Sequence, residues 1–189
     1  MRRRRTFLFA NAIAALASLG VSAFAWAQAK PTEYQVKAAY LYNFGKFVTW
    51  PPAQSDVANF GVCVLGKDPF GADLDGVLSN ATIGNKKAVA KRITDTSAAE
   101  GCHIVFISSS ESGQLDRILP ALNKLHVLTV SDMPRFVEHN GMVQFVMDSG
   151  RVRFEVNLAA AENSGLTLSS QLLKVASNVK RADGKGGSQ

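Results

Sequence analysis

The sequence predicts an α/β fold: a single domain with a mixed, mostly parallel sheet flanked by helices, followed by a C-terminal β-hairpin and helix. Three observations support this prediction. Short apolar runs typical of buried strands alternate with helical patterns through the middle of the chain. A two-strand pattern around a Ser-Gly turn follows near the C-terminus. The 189 residues are 47% hydrophobic and 19% charged, as in ordinary globular chains.

The first 27 residues have the layout of a secretory signal peptide. Arg2–Arg5 precede an apolar stretch, and small residues then alternate up to Ala27. We expect cleavage after Ala27, with Ala25 as the alternative site and an uncleaved anchor helix as the competing interpretation. The arginines suit both the general secretory route and the twin-arginine route. The exported product is then one domain at 28–180 with a disordered polar tail at 181–189.

The charge distribution argues against nucleic acid as the main partner. The formal net charge is +6, but Arg2–Arg5 supply four of the positive charges. The remainder of the chain is close to neutral, whereas binding to phosphates needs a concentrated basic face.

A first helix is expected from Glu33 to Val48, with Thr32 as its N-cap. It must end before Trp50-Pro51, because a residue that precedes proline is disfavoured in the α region. Apolar residues cover most of its circumference, which indicates a core helix. Lys37 lies in the middle of the apolar side, where an unpaired ammonium is costly, so we expect it to pair with Glu33 one turn earlier.

Strands and helices then alternate, a rhythm typical of parallel strand pairing. The predicted strands are Phe60–Leu65, Lys86–Ile93 as an edge strand, His103–Ser108 and His126–Val130. The predicted helices are a short one after the turn Gly66–Gly71, then Glu111–Leu119 with a continuation past Pro120 to Lys124, and then Asp132–Glu138.

The last third predicts a hairpin of Met142–Met147 and Arg151–Leu158 around Asp148-Ser149-Gly150. Strand alternation directs one set of side chains to the core, namely Val152, Phe154, Val156 and Leu158. It directs the other set to solvent, namely Arg151, Arg153, Glu155 and Asn157. A short alanine-rich helix then ends at Asn163-Ser164-Gly165. Ser169 or Ser170 caps a final amphipathic helix that carries Leu172, Leu173, Val175, Ala176 and Val179.

Sequence motifs for catalysis and metal binding are missing. The three histidines, His103, His126 and His139, are dispersed and have no paired spacing. The turn Gly66–Gly71 stands where a phosphate-binding loop would, but it lacks the Lys-Ser or Lys-Thr that follows such a loop. Ser108–Glu111 is better explained as a helix N-cap than as a nucleophile loop. We therefore expect no enzyme activity, no cofactor and no metal.

The two cysteines, Cys63 and Cys102, are expected to form a disulfide in an oxidising compartment. One lies inside a predicted strand and the other directly before one, so neighbouring strands would bring their Cα atoms into the disulfide range. A structural crosslink is the favoured interpretation. The alternative is a redox switch, which requires a strained or exposed bond.

Taken together, four stretches resemble the YfiR family of exported bacterial proteins across nearly the whole mature chain. They are Val36–Pro51, Val64–Gly71, Cys102–Ser108 and Arg153–Leu158. The first stretch, an aromatic-rich helix that ends in Trp-Pro, is the most specific. The resemblance implies a periplasmic α/β domain, often a homodimer, without known catalysis.

The resemblance further implies regulation through contact with another protein. In the best-understood family role, the protein binds the periplasmic sensor domain of an inner-membrane diguanylate cyclase and represses cyclic-di-GMP synthesis, and an outer-membrane lipoprotein relieves the repression. Other relatives accompany histidine kinases, so a small-ligand-sensing module that acts with such a kinase is the alternative. Some relatives carry a second cysteine pair around Met142–Arg153. This chain lacks it, and redox behaviour that depends on that pair is not expected here.

The family's partner surface is attributed partly to the C-terminal portion, where Glu155 is the matching position. Glu155 lies on the predicted solvent face of its strand between Arg153 and Asn157, and such a mixed polar row suits a specific rim contact. Ordinary solvated strand polarity is the alternative. Leu166 and Leu168 are candidates for an apolar anchor of the same partner, with core packing as the alternative.

Overall fold

A computed structural model describes residues 30–52 and 57–182 of the chain. The described residues from Pro31 onward belong to one unit. The expected signal peptide, 1–27, lies outside the described residues. The part of the expected tail from 183 onward also lies outside them.

The helices in these ranges are α1 (Glu33–Phe47), α2 (Ala72–Leu78), α3 (Leu115–Asn123), α4 (Leu158–Asn163) and α5 (Ser170–Val175). The strands are β1 (Val48–Thr49), β2 (Asn59–Leu65), β3 (Thr82–Ile83), β4 (Lys86–Ile93), β5 (Cys102–Ile107), β6 (Leu128–Ser131), β7 (Val143–Asp148), β8 (Arg151–Asn157), β9 (Thr167–Leu168) and β10 (Asn178–Lys180). Two 3-10 helices, Thr96–Ala99 and Ser109–Gln114, precede β5 and α3.

Among the described strands, eight form one sheet in the order β10-β8-β7-β6-β5-β2-β4-β3. The five strands from β7 to β4 in this order run parallel, whereas β8 is antiparallel to β7 and β3 to β4. The predicted mixed, mostly parallel α/β sheet is therefore confirmed. β4 is not quite the edge strand that we expected, because the two residues of β3 pair with Lys86 and Lys87 at its start.

Both faces of the central strands are covered by apolar packing. On one face α1 and α2 contribute Leu41, Phe44 and Leu74 to a large buried cluster. On the other face α3 contributes Ile118 and Leu122 to a second cluster. All six residues of β5 are buried, and Ile104–Ile107 form a continuous apolar run in the sequence.

α1 begins as predicted with a capping box. Thr32 Oγ1 accepts from the backbone N–H of Gln35 at 3.2 Å, and the backbone N–H of Thr32 donates to Gln35 Oε1 at 3.0 Å. The helix ends at Phe47, one residue before the predicted end, because Val48 is already extended and pairs with Leu168 in the small antiparallel sheet β1-β9.

Two predicted helices differ from the structure. The segment from Glu111 begins as a 3-10 helix, and α3 then runs through Pro120 without a break. The predicted helix Asp132–Glu138 is wrong, since this segment consists of successive turns after the end of β6. Arg135 has a φ of 61°, a left-handed conformation that an α-helix does not accommodate.

The predicted hairpin is confirmed. β7 and β8 pair from Val143↔Val156 to Asp148↔Arg151. The turn residues Ser149 and Gly150 have φ values of 49° and 73°, as a type I′ turn requires at both central positions.

The end of the chain agrees with the sequence only in part. Ser169 caps α5, as expected, by accepting from the backbone N–H of Leu172 at 3.2 Å. The helix ends at Val175 instead of reaching Val179. The backbone N–H of Ser177 donates to Phe154 O at 2.8 Å, and the chain then continues as β10, parallel to β8. This long-range pairing outweighs the local helical pattern.

Candidate functional site

A row of polar side chains lies across β7, β8 and β10. Arg153 is exposed and Glu155 half-buried, and both alternate with the buried core residues of β8. Glu155 has Gln144 opposite it on β7 and Asn178 opposite it on β10, while Arg153 has Val146 opposite it. The structure therefore places Arg153 and Glu155 on the same face of β8, whereas Gln144, beside Glu155 on β7, is buried and accepts from the backbone N–H of Val137.

This face rests on a rigid aromatic support. On the opposite side of β8, the Phe154 ring packs edge-on against Phe44 of α1, with 5.1 Å between ring centroids. Tyr40 lies 5.5 Å from Phe154, and Phe145 lies 5.9 Å from Phe44. Because these rings are packed in the core, β8 presents Arg153 and Glu155 on a fixed backbone.

Asn157 does not belong to the exposed row, contrary to the prediction. Its side chain is 2% exposed, because β8 turns into α4 at this residue. Its Oδ1 accepts from the backbone N–H of Ala160 at 3.1 Å, which caps α4, and its Nδ2 donates to Val137 O at 3.0 Å. Asn157 thus has a structural role that leaves no side-chain surface for a partner.

Leu166 and Leu168 are both buried in the larger core cluster. Leu168 belongs to β9 and pairs with Val48, and the backbone N–H of Leu166 donates to Ala161 O at 3.0 Å. Core packing, the alternative for these two leucines, is therefore what the structure shows. Of the predicted partner-binding residues, Arg153 and Glu155 are those that solvent reaches.

The predicted disulfide between Cys63 and Cys102 is present, with 5.9 Å between the Cα atoms. It crosslinks the neighbouring strands β2 and β5, and both residues are fully buried in the cluster beneath α3. A redox switch needs a bond that a reductant can reach, so the burial favours the structural interpretation.

Lys37 forms the expected ion pair with Glu33, with 2.5 Å between Nζ and Oε1. Asp132, at the end of β6, lies as close, with 2.6 Å between Nζ and Oδ2. Tyr34 donates its hydroxyl to the same Oδ2 at 3.1 Å. Burial lowers the pKa of Lys37, but the hydrogen bonds to Asp132 and Glu33 outweigh burial and raise that pKa above its ordinary value. The lysine therefore stays charged and joins α1 to β6.

The crevice between the carboxyl ends of β2 and β5 is occupied by side chains of the chain itself. Such crevices are where open α/β sheets bind ligands. Here a Cβ at Gly66 would collide with Ser110 and Glu111, and the backbone N–H of Lys67 donates to Ser110 Oγ at 3.0 Å. Ser108 caps the following 3-10 helix, as predicted. Ser110 and Glu111 thus fill the space beside Gly66 at the start of this turn.

Histidines serve backbone contacts in the described part of the chain. Nδ1 of His126 lies 2.8 Å from Ser164 O, and Nδ1 of His139 lies 3.0 Å from Arg135 O. Across residues 30–52 and 57–182, no three His, Cys, Asp or Glu side chains converge as metal ligands. Over the same residues, no helix has the length and apolar character needed to cross a bilayer.

The fold places the chain among single-domain proteins with a mixed, mostly parallel α/β sheet. The chain belongs to the YfiR/HmsC-like family, whose sequence pattern matches residues 34–177. Members of this family are periplasmic regulators of cyclic-di-GMP signalling and are not enzymes.

Solved structures share the fold at low sequence identity. The crystal structure of a conserved domain protein from Vibrio cholerae O1 biovar El Tor has a TM-score of 0.53 at 12% identity, over 80% of this chain and 62% of that chain. The chain thus spans less than two thirds of that protein, and the likeness shows the fold alone. The ABC domain from Streptococcus pneumonia in complex with L-Trp has a TM-score of 0.45 at 13% identity, over 68% of this chain and 60% of that chain. No curated protein sequence matches significantly.

Proposed function

We propose that the chain is a periplasmic repressor that binds the periplasmic sensor domain of an inner-membrane diguanylate cyclase and lowers cyclic-di-GMP synthesis. Family membership over residues 34–177 carries this proposal. Repression requires the chain to bind the inactive arrangement of the cyclase more tightly than the active one. In this scheme an outer-membrane lipoprotein relieves repression by competing for the chain.

Arg153 and Glu155 are proposed as the contact with the sensor domain. Their opposite charges lie two residues apart on one strand face, about 7 Å along the strand. Such a pair selects a partner surface with the reverse order of charges and disfavours a like-charged surface. The aromatic packing of Phe44 and Phe154 behind the strand supports the proposal, because a fixed backbone limits the entropy lost on binding.

Charge reversal at Glu155 tests the proposed surface. We expect Glu155→Lys to weaken binding to the purified sensor domain at least about tenfold, equivalent to about 1.4 kcal/mol. The same variant should raise cellular cyclic-di-GMP. Glu162→Lys is the matched control, because Glu162 is exposed and belongs to α4, outside the strands β7, β8 and β10.

Two other outcomes would be informative. If Glu155→Lys and Glu162→Lys both bind like the unaltered chain, the surface is wrong although the repressor function stands. If deleting the gene leaves cyclic-di-GMP unchanged while the cyclase is expressed, the proposed function is wrong.

A further inference from the structure

We propose that a groove along α3 binds a short extended peptide that carries a basic residue at one end and an acidic residue at the other. The groove consists of three successive cavities of about 440, 190 and 390 Å³. The first and second share Leu115, Asp116 and His139 as walls, and the second and third share Asn123 and Asn140. The residues proposed to contact the sensor domain do not line the groove, so the inference goes beyond the proposed function and does not depend on it.

The length of the groove follows from the way the chain crosses the sheet. Because β5, β6 and β7 are parallel, α3 must return from the carboxyl end of β5 to the amino end of β6, and segment 133–140 must make the next return to β7. These two crossings form the walls. α3 has nine residues and is therefore about 13 Å long. An extended peptide rises about 3.3 Å per residue, so about five residues pass the helix and reach the third cavity.

The floor of the groove is aliphatic. Leu115, Leu119 and Met133 line it and are buried, and Pro120 and Pro134 line its exposed parts. No Phe, Tyr or Trp ring lines these cavities in the part of the chain that the structure describes. An aliphatic peptide side chain that entered the groove would therefore leave water and contact apolar surface.

Asparagine side chains follow the middle and the third part of the groove. Asn123, Asn140 and Asn163 line it, and no hydrogen bond engages their amides within the described residues. Oδ1 of Asn123 is even buried without a partner, so the chain leaves hydrogen-bonding capacity here that it does not satisfy itself. A side-chain amide offers both a donor and an acceptor, which match the C=O and N–H of an extended peptide backbone.

The two ends of the groove carry opposite charges. Asp116 lines the first cavity, where it is exposed and makes no ion pair with another described residue. His139 lines the same cavity, and since its Nδ1 lies 3.0 Å from Arg135 O, that nitrogen carries the proton and Nε2 of the neutral ring is an acceptor. Lys180 and Arg181 line the third cavity. A basic peptide residue is therefore attracted to the first end and an acidic one to the other.

The positive end keeps its charge despite a nearby carboxylate. Glu138 interacts with Lys180 electrostatically, but its Oε2 lies 2.7 Å from Nε of Arg135, which neutralises it. Arg181 forms no ion pair within residues 30–52 and 57–182. Charged ends, free amides and an aliphatic floor together favour a peptide, whereas a neutral glycan would use only the amides.

Calorimetry with designed pentapeptides tests the groove. The probes, in one-letter code, are KALAE, QALAQ, KALAK and EALAE, acetylated and amidated so that only side chains carry charge. We expect KALAE to bind the purified chain with a Kd below about 1 mM, at least about fivefold more tightly than QALAQ. KALAK and EALAE should bind more weakly than KALAE, because each brings a like charge to one end. No saturable binding of KALAE, or equal binding of KALAE and QALAQ, would overturn the proposal.

Charge variants locate the peptide. Asp116→Asn and Arg181→Gln should each weaken KALAE binding at least about threefold and leave QALAQ binding unchanged. Glu100→Gln and Lys87→Gln, at exposed positions outside the groove, are the matched controls and should leave both unchanged. Asp116→Lys makes both ends positive, so this variant should bind EALAE more tightly than KALAE. A folded Asp116→Lys variant that still prefers KALAE would contradict the assignment.

Three other outcomes would assign the groove to a different occupant and overturn the proposal. Tighter binding of chitotetraose than of KALAE would indicate a glycan. Binding of KALAE only after truncation behind Ala182 would indicate the chain's own residues 183–189. Loss of KALAE binding at concentrations where sedimentation shows a dimer would indicate a second copy. Since no sensor domain is present, none of these results bears on repression.

Discussion

At the scale of single residues, the ammonium of Lys37 holds α1 against the end of β6. The lysine side chain is 4% exposed, and its two carboxylate partners differ in burial: Asp132 is 17% exposed and Glu33 44%. A buried ion pair loses most stability when one partner is removed, because the remaining charge is left uncompensated. A solvent-exposed partner contributes less, since water screens it.

We therefore expect Asp132→Ala to lower the free energy of unfolding by about 2–3 kcal/mol. This is somewhat less than the loss expected when a fully buried ion pair is broken, because Lys37 still has its ion pair with Glu33. Glu33→Gln should cost less than about 1 kcal/mol. Urea denaturation at neutral pH measures both. Equal losses for the two variants would contradict this ranking of the two carboxylates.

The same residues predict a loss of stability at alkaline pH. Burial, and then the charge of Asp132, raise the pKa of Tyr34 above its ordinary value of 10.0, and the pKa of Lys37 is raised above 10.5. The folded state thus holds both protons more tightly than the unfolded chain, so this stability is full below about pH 10 and falls as pH rises further. Tyr34→Phe should make the loss shallower in urea denaturation between pH 9 and pH 11. An unchanged slope would show that Tyr34 does not contribute.

Sequence reasoning found only the local half of this cluster. Glu33 and Lys37 stand one helical turn apart, so their contact follows from helix geometry. Asp132 is 95 residues from Lys37 in the chain. Nothing in the local pattern connects the two residues until the sheet order brings β6 beneath α1. The stack of the Phe60 ring on the His103 ring was missed for the same reason.

At the scale of elements, the disulfide fastens β2 to β5 beneath α3. In the chain-entropy model a crosslink with a sequence separation of 39 residues stabilises the fold by constraining the unfolded chain. We expect the double variant Cys63→Ala/Cys102→Ala to lose about 4 kcal/mol of unfolding free energy, as loop closure of this length predicts. Urea denaturation of the oxidised chain and of the variant measures the difference. A loss below about 1 kcal/mol would mean that β2 and β5 need no crosslink.

Elements with local signals were predictable, and those set by distant contacts were not. The hairpin follows from Ser149-Gly150, because both positions of a type I′ turn need positive φ. β4 has the predicted bounds. β10 escaped prediction because the contact of Ser177 with Phe154, 23 residues earlier, ends the helical pattern.

At the scale of the whole molecule, the fold class followed from the rhythm of strands and helices, whereas the strand order did not. Parallel pairing fixes the direction of β2, β4, β5 and β6 but leaves open which of them are neighbours. The candidate site shows the same limit. Strand alternation correctly predicted that solvent reaches Arg153 and Glu155. It could not show that Asn157 turns inward to cap α4, or that Leu168 pairs with Val48 in the β1-β9 sheet and is buried there.

That two-stranded β1-β9 sheet has a consequence for the order in which the molecule can assemble. Val48 directly follows α1, yet its partner Leu168 is synthesised long after it, as are Phe145 and Phe154, which pack against the helix. A ribosome or a translocation channel delivers the helix before these contacts. The aromatic side of the helix therefore stays uncovered until these residues emerge, and we expect a holding chaperone to bind the nascent chain during that interval.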